Sequence, residues 1–275
     1  MRKIIAFAAA LAFSGQALAA DLYQPEQPVE QAPVAEPVVA ANGWYLRGDV
    51  SYDIMKLRGT EYFEGGAASN LVSYDSAKVN NTGNIGLGVG YQVTDYFRVD
   101  KTFDYMFKTN FRGMKDCGPC VSHDVSSLTA FSLMANAYVD ITKMGMFTPY
   151  LGAGIGGTYV KWDDFHGKTV CTDDTCEGDS KSFYKGRANW RFTYAVMAGT
   201  SVDINCKVKA DVGYRYRHVS GGKMFGYNNN GGPAADKGFD IHEVRTGLRY
   251  SFGDCGEQAY LPPVDLPSQP QPVFK

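Results

Sequence analysis

The stretch Arg245-Thr246-Gly247-Leu248-Arg249-Tyr250-Ser251-Phe252 alternates. In an extended chain successive side chains point to opposite sides. Thr246, Leu248, Tyr250 and Phe252 therefore share one face, and Arg245, Gly247, Arg249 and Ser251 share the other. One face suits hydrocarbon and the other suits a wet or charged interior. That combination predicts the closing strand of a transmembrane β-barrel.

Upstream, the same alternation recurs in seven further segments. Around 43–54, Trp44, Leu46, Val50, Tyr52 and Ile54 oppose Arg47, Asp49, Ser51 and Asp53. In 82–93, Ile85, Leu87, Val89, Tyr91 and Val93 oppose Asn84, Gly86, Gly88, Gly90 and Gln92. In 96–108, Phe97, Val99, Phe103, Tyr105 and Phe107 oppose Arg98, Asp100, Thr102, Asp104 and Lys108, with Lys101 interrupting the apolar set. Segments 125–141, 149–162, 188–203 and 206–219 repeat the pattern. Each is near the length a tilted strand needs to cross a bilayer. With the closing strand they make eight, an even number.

The connections alternate in length. Long ones are expected at 55–81, 109–124, 163–187 and 220–237, and short ones at Thr94-Asp95, Thr142 to Met146 and Ile204-Asn205. Bacterial barrels show this pattern, with long extracellular loops and short periplasmic turns. A soluble eight-stranded barrel is the alternative, but aromatic residues near strand ends (Trp44, Phe107, Trp190, Tyr216, Phe252) favour a membrane girdle. The predicted fold is all-β: an eight-stranded antiparallel up-and-down transmembrane barrel over 43–252.

The ends of the 275-residue chain read differently. Arg2 and Lys3, the apolar run from Ile4 to Phe13 and Ala17-Leu18-Ala19 have the layout of a secretory signal peptide over 1–19. Residues 20–42 form an acidic linker with Pro25, Pro28, Pro33 and Pro37 and no Lys or Arg. Such a segment should be extended and unfolded, and at about 3.1 Å per residue it reaches roughly 70 Å. Residues 253–275 form a second Pro-rich segment. Both ends are expected in the periplasm. A net charge of −2 gives no reason to expect a nucleic-acid partner.

The inward set mixes both signs: Arg47, Asp49, Asp53, Arg98, Asp100, Asp104, Arg191, Lys207, Lys209, Asp211, Arg215, Arg217, Glu243, Arg245 and Arg249. Eight strands leave room only for side chains. A packed salt-bridge network is expected in preference to a narrow pore, with glycines such as Gly86, Gly88 and Gly90 making space.

An exported chain with six cysteines can hold disulfides. Cys117 with Cys120, and Cys171 with Cys176, lie within single loops and are expected to close locally, with cross-loop pairing as the alternative. Cys206 and Cys255 sit where neighbouring strands would meet at the periplasmic rim. A bridge there sets residue 206 opposite about 255, brings Asp211 to Arg249 and Arg217 to Glu243, and leaves Arg215 beside Arg245. His123 and His166 lie in loops, and His218 and His242 near the outer ends of the last two strands. Metal, haem or lipopolysaccharide-phosphate contact is the functional reading of these histidines; comfort at a polar interface is the bland one. Ser220 near His218 does not make a catalytic cluster, so no enzyme, cofactor or metal site is expected.

Polar Arg245, Gly247, Tyr250 and terminal-aromatic Phe252 together resemble the β-signal that the barrel assembly machinery reads on outer-membrane proteins. Gly-Trp-Tyr-Leu-Arg-Gly-Asp-Val (43–50) and Thr-Pro-Tyr-Leu-Gly-Ala-Gly-Ile-Gly (148–156) extend the likeness. The chain resembles the small alphaproteobacterial (Rhizobiales-type) outer-membrane barrels of the opacity or surface-antigen type, also called the porin family. The resemblance implies an outer-membrane protein among lipid and lipopolysaccharide. It also implies that Ala20-Asp21 could be an attachment point to peptidoglycan, so that the leader tethers the outer membrane to the wall and supports envelope integrity. The alternative it implies is a surface-loop binding protein: an adhesin, or a haem or metal binder.

Overall fold

A computed structural model describes residues 43–63, 71–176, 178–226 and 234–253. The signal peptide, the linker with Ala20 and Asp21, and the tail with Cys255 lie outside the described residues. The strands are β1 (Gly43–Leu57), β2 (Thr60–Phe63), β3 (Leu71–Ser73), β4 (Ser76–Val79), β5 (Thr82–Thr94), β6 (Phe97–Asp116), β7 (Cys120–Asp140), β8 (Phe147–Trp162), β9 (Phe165–Cys171), β10 (Ser180–Gly186), β11 (Ala188–Asp203), β12 (Val208–Gly226) and β13 (Ala234–Ser251). Eight of them close a ring in the order β1-β5-β6-β7-β8-β11-β12-β13, and β13 returns antiparallel to β1 from Tyr45↔Ser251 to Leu57↔Phe239. Closure pairs every backbone donor and acceptor of the wall, which a bilayer demands.

The faces follow the alternation. Leu46, Leu87, Phe103, Leu133, Leu151, Ile155, Phe192, Val244 and Leu248 all point outward and are exposed. On β6 the belt runs from Phe97 to Phe107. At about 3.3 Å per residue and about 40° of tilt it is about 25 Å tall, the height of a membrane-facing band. Arg47, Asp49, Asp53, Arg98, Asp100, Asp104, Arg191, Asp211, Arg215, Arg217, Glu243, Arg245 and Arg249 are buried inside. Lys108 is exposed instead, just past the belt, and Lys207 and Lys209 are half-buried at the short-turn rim, where Lys209 reaches Asp203 at 2.9 Å. A lysine there keeps its ammonium in water while its stem packs on the barrel.

The register of the last two strands is corrected by two residues. Asp211 stands opposite Gly247, Arg215 opposite Glu243 and Gly213 opposite Arg245. A shift of two preserves every face, so the complementary pairs still form, now along diagonals: Arg249 to Asp211 at 3.0 Å and Arg217 to Glu243 at 2.7 Å. Arg215 is therefore not beside Arg245 in the ladder. Both instead reach one carboxylate, Asp104, at 3.1 Å each.

All four expected long loops carry strand: 55–81 holds the end of β1 with β2, β3 and β4, and 220–237 holds the ends of β12 and β13. Residues 109–116 continue β6 and pair with 121–128 of β7, leaving only a tight turn at 117–119. Residues 163–187 hold the β9–β10 hairpin, whose first strand pairs with β7. The ring thus rises past its belt. A register irregularity between Met106 and Thr109 marks the passage on β6. Above it the polarity of the faces inverts: Phe111 is buried while Arg112 is exposed. A search for apolar residues outside misses strands built that way.

Candidate functional site

The interior has layers, each built by residues two apart on neighbouring strands. Nearest the short turns, the Arg98 guanidinium lies between two rings, 4.2 Å from the centroid of Tyr138 and 4.7 Å from that of Tyr150. Arg98 Nε also donates to Asp140 at 3.2 Å. Tyr45 fills the space over Gly90, where any β-carbon would overlap its ring.

Above this lies a continuous charge network. Arg47 bridges Asp49 and Asp100 at 2.8 Å each. Arg245 bridges Asp49 at 2.9 Å, and Arg215 joins Asp104 to Glu243 at 3.1 and 2.5 Å. Glu243 also accepts Arg217, whose other arm donates to Ser132 Oγ at 2.8 Å. Ser132, Thr158 and Thr193 then join hydroxyl to hydroxyl at 2.8 and 2.7 Å. Ions this deep persist because each has a partner.

At the hydroxyl row the interior turns apolar. Met55, Met106, Leu128, Val160, Trp162, Val219, Phe239 and Ile241 fill the barrel, capped by Phe111, Phe165, Met224 and Phe225. Trp162 packs on Phe111, Phe225 and Phe239 with centroids 5.4, 5.6 and 6.1 Å apart. The cavity between plug and network is about 10 Å³, near the size of one water. This plug was not read from the sequence. Its signal is the run of inward positions that stay apolar beyond Asp53, Ser132, Thr158 and Glu243: Met55, then Ala130 and Leu128, then Val160 and Trp162, then Ile241 and Phe239.

The long-loop end is a β-structured head. Cys117 is bonded to Cys120 and Cys171 to Cys176, and Cys120 stands opposite Cys171 in the β7–β9 ladder. The two closed turns therefore sit side by side, with no bridge between them. Cys206 is also disulfide-bonded, at the short-turn rim; Cys255 lies outside the described residues. At the base of the head Asp163 bridges Lys108 at 2.6 Å and accepts Ser127 Oγ at 2.8 Å. Partial burial pushes the Asp163 carboxyl up, but those two hydrogen bonds outweigh it and hold it below the usual carboxylate range.

The other predicted residues are placed as follows. Arg245 is inside, in the network. Gly247 lies against Asp49, whose carboxylate occupies the space a β-carbon would need. Tyr250 and Phe252 point outward, with ring centroids 5.4 Å apart. His218 Nδ1 lies 2.8 Å from Asp240, which also accepts the Tyr216 hydroxyl at 2.8 Å. His242 meets the Tyr214 hydroxyl at 2.5 Å and stacks on Tyr216 at 5.5 Å. The two histidines thus share an outward aromatic cluster at the upper edge of the belt. Ser220 stands opposite Gly238, two ladder steps beyond the His218–Asp240 pair. His123 and His166 are exposed on the head, 166 stacking on Phe183 at 5.2 Å. Among the described residues no three His, Cys, Asp or Glu side chains converge as a metal site requires.

The surface antigen family matches residues 73–229. An uncharacterized protein of Brucella abortus is 36% identical over 262 residues, covering 82% of this chain and 90% of its own. A Rickettsia conorii protein described as a candidate adhesin is 29% identical over 220 residues, covering 77% and 83%. Among solved structures, Neisserial surface protein A superposes with a TM-score of 0.44 at 18% identity, covering 76% of this chain and 97% of that one. The outer membrane protein OprG of Pseudomonas aeruginosa gives 0.42 at 15%, covering 77% and 97%.

Proposed function

The chain belongs to the surface antigen family, and on that premise we propose that it is a sealed outer-membrane anchor carrying a binding head on the cell surface. The observation that carries this reading is the filled interior. A charge network and an apolar plug stacked in one lumen leave no aqueous path, so the barrel neither conducts nor houses a substrate. What remains available for function is the head built from β6, β7, β9 and β10, tied at its turns by two disulfides. Preformed β-structure presents side chains without an ordering cost on binding. The Rickettsia relative described as a candidate adhesin supports the same class of role. In this reading the short turns and both chain ends face the periplasm, and the role is not enzymatic.

Replacing 109–124 and 163–187 by short turns should leave a folded, heat-resistant barrel that no longer confers attachment on cells expressing it. Attachment undiminished by that exchange would overturn the surface-head reading.

A tether role belongs to the other end of the chain. β1 begins at Gly43, on the short-turn side, directly after the acidic Pro-rich leader. The leader would then emerge toward the cell wall with reach to spare, and Ala20 or Asp21 would be the residue joined to peptidoglycan. Mass spectrometry of digested, detergent-washed wall should find a muropeptide on that N-terminus. A free N-terminus, with all the protein removed by detergent, would rule the tether out. Arg245, Gly247, Tyr250 and Phe252 are proposed as the strand read by the assembly machinery.

A further inference from the structure

The outward wall of the head carries a cluster of cations. Ladder pairs align Lys78, Arg112, Val125, His166 and Phe183 in one row across β4, β6, β7, β9 and β10. The next row holds Ser76, Met114, His123, Lys168 and Lys181. Lys185 extends β10 below them. Apart from half-buried Ser76, all of these side chains are exposed. No carboxylate lies in either row. None of the five cations makes an ion pair among the described residues. The nearest acids border the face: Asp75, Asp116 and Asp179 above it, Asp163 and Asp164 below it, each already accepting a hydrogen bond or ion pair. In a chain of net charge −2, five unpaired cations on one wall are a local excess.

Two further observations choose the partner. The face looks sideways, because it continues the lipid-facing side of the same strands. Its height above the belt is also set: Arg112 lies five residues beyond Phe107 on β6, about 13 Å higher at about 3.3 Å per residue and about 40° of tilt. That is the polar layer just above the hydrocarbon. Between the cations, Phe183, Val125 and Met114 are exposed and offer apolar contact, which suits the C–H faces of sugar rings. We propose that this wall binds the anionic core glycan of the lipopolysaccharide surrounding the barrel, the cations taking its phosphate or carboxylate groups and Phe183 a sugar face. The proposal rests on the reading that the long-loop end is extracellular.

The test uses the full chain purified in detergent. Its ligands are rough lipopolysaccharide with a phosphorylated core, lipid A lacking the core, and heparin as a soluble polyanion. The wild type should bind the rough lipopolysaccharide more tightly than lipid A, and less tightly as salt rises. At about fivefold for each charge near an anionic surface, the triple variant R112Q/K168Q/K181Q should bind about a hundredfold more weakly. K143Q, in the short turn between β7 and β8 at the opposite end of the barrel, should bind like the wild type. Unchanged binding by the triple variant overturns the proposal. So does equal binding of lipid A, which would assign the cations to the lipid phosphates, and so does binding of heparin alone. Labelling of Lys181 in intact cells by a membrane-impermeant reagent checks the orientation separately. Its failure would overturn the occupant while leaving the detergent result to report on the wall itself.

Discussion

Glu243 is the most telling single residue of the interior. It is fully buried and accepts Arg215 at 2.5 Å and Arg217 at 2.7 Å. Glu243→Ala would strand two guanidinium groups in a closed lumen. Breaking a buried pair from one side costs about 3–5 kcal/mol, so urea unfolding in vesicles should shift by that amount. A loss below about 1 kcal/mol would mean the guanidiniums find other partners or water. Gly90 is the steric counterpart. A valine there collides with the Tyr45 ring and should cost about 1–3 kcal/mol by overpacking. Combining it with Tyr45→Ala should recover part of that loss, since the pair shares one space. If the double variant is simply additive, the contact with Tyr45 is not the reason for glycine.

Single strands here do two jobs in series. The lower part of β8 carries outward Leu151 and Ile155, and its upper end turns Val160 and Trp162 inward to the plug. Trp162→Ala should cost about 3–5 kcal/mol, and tryptophan fluorescence should lose its most buried component. The β8–β9 connection has its own pH signature. Because the Asp163 carboxyl is held low, its contribution is complete above the unfolded value of about 4 and is lost as pH falls through the lower folded one. Hydrogen exchange at 126–128 and 163–165 should therefore quicken only in acid, and Asp163→Asn should remove that dependence. Exchange that changes instead near neutral pH would contradict the assignment to Asp163.

At the scale of the whole molecule the proposed anchor is filled by two layers, one of ions and one of apolar side chains. Planar-bilayer recordings should show no conductance above baseline. Shaving the plug with Phe225→Ala and Phe239→Ala should still show none, because the network beneath is intact. Steady channels from the wild type would contradict the sealed-anchor reading.

The number of strands in the ring, the closing strand and most of the inward and outward sets could be read from the sequence. The bilayer imposes a two-residue period on each strand, and that period survives in a linear text. The charges at 47–53 and 243–249 were legible as interior for the same reason. Their partners were not: a slip of two residues keeps every face yet changes each neighbour, so only the closed ring decides that Arg215 meets Glu243. The plug and the head were hidden for a different cause. Above the belt water replaces lipid, the wanted polarity of each face inverts, and Phe111 turns inward beside an exposed Arg112. The basic wall is the extreme case, since Lys78, Arg112, Lys168 and Lys181 are scattered in the chain and become one surface only when five strands are laid in register.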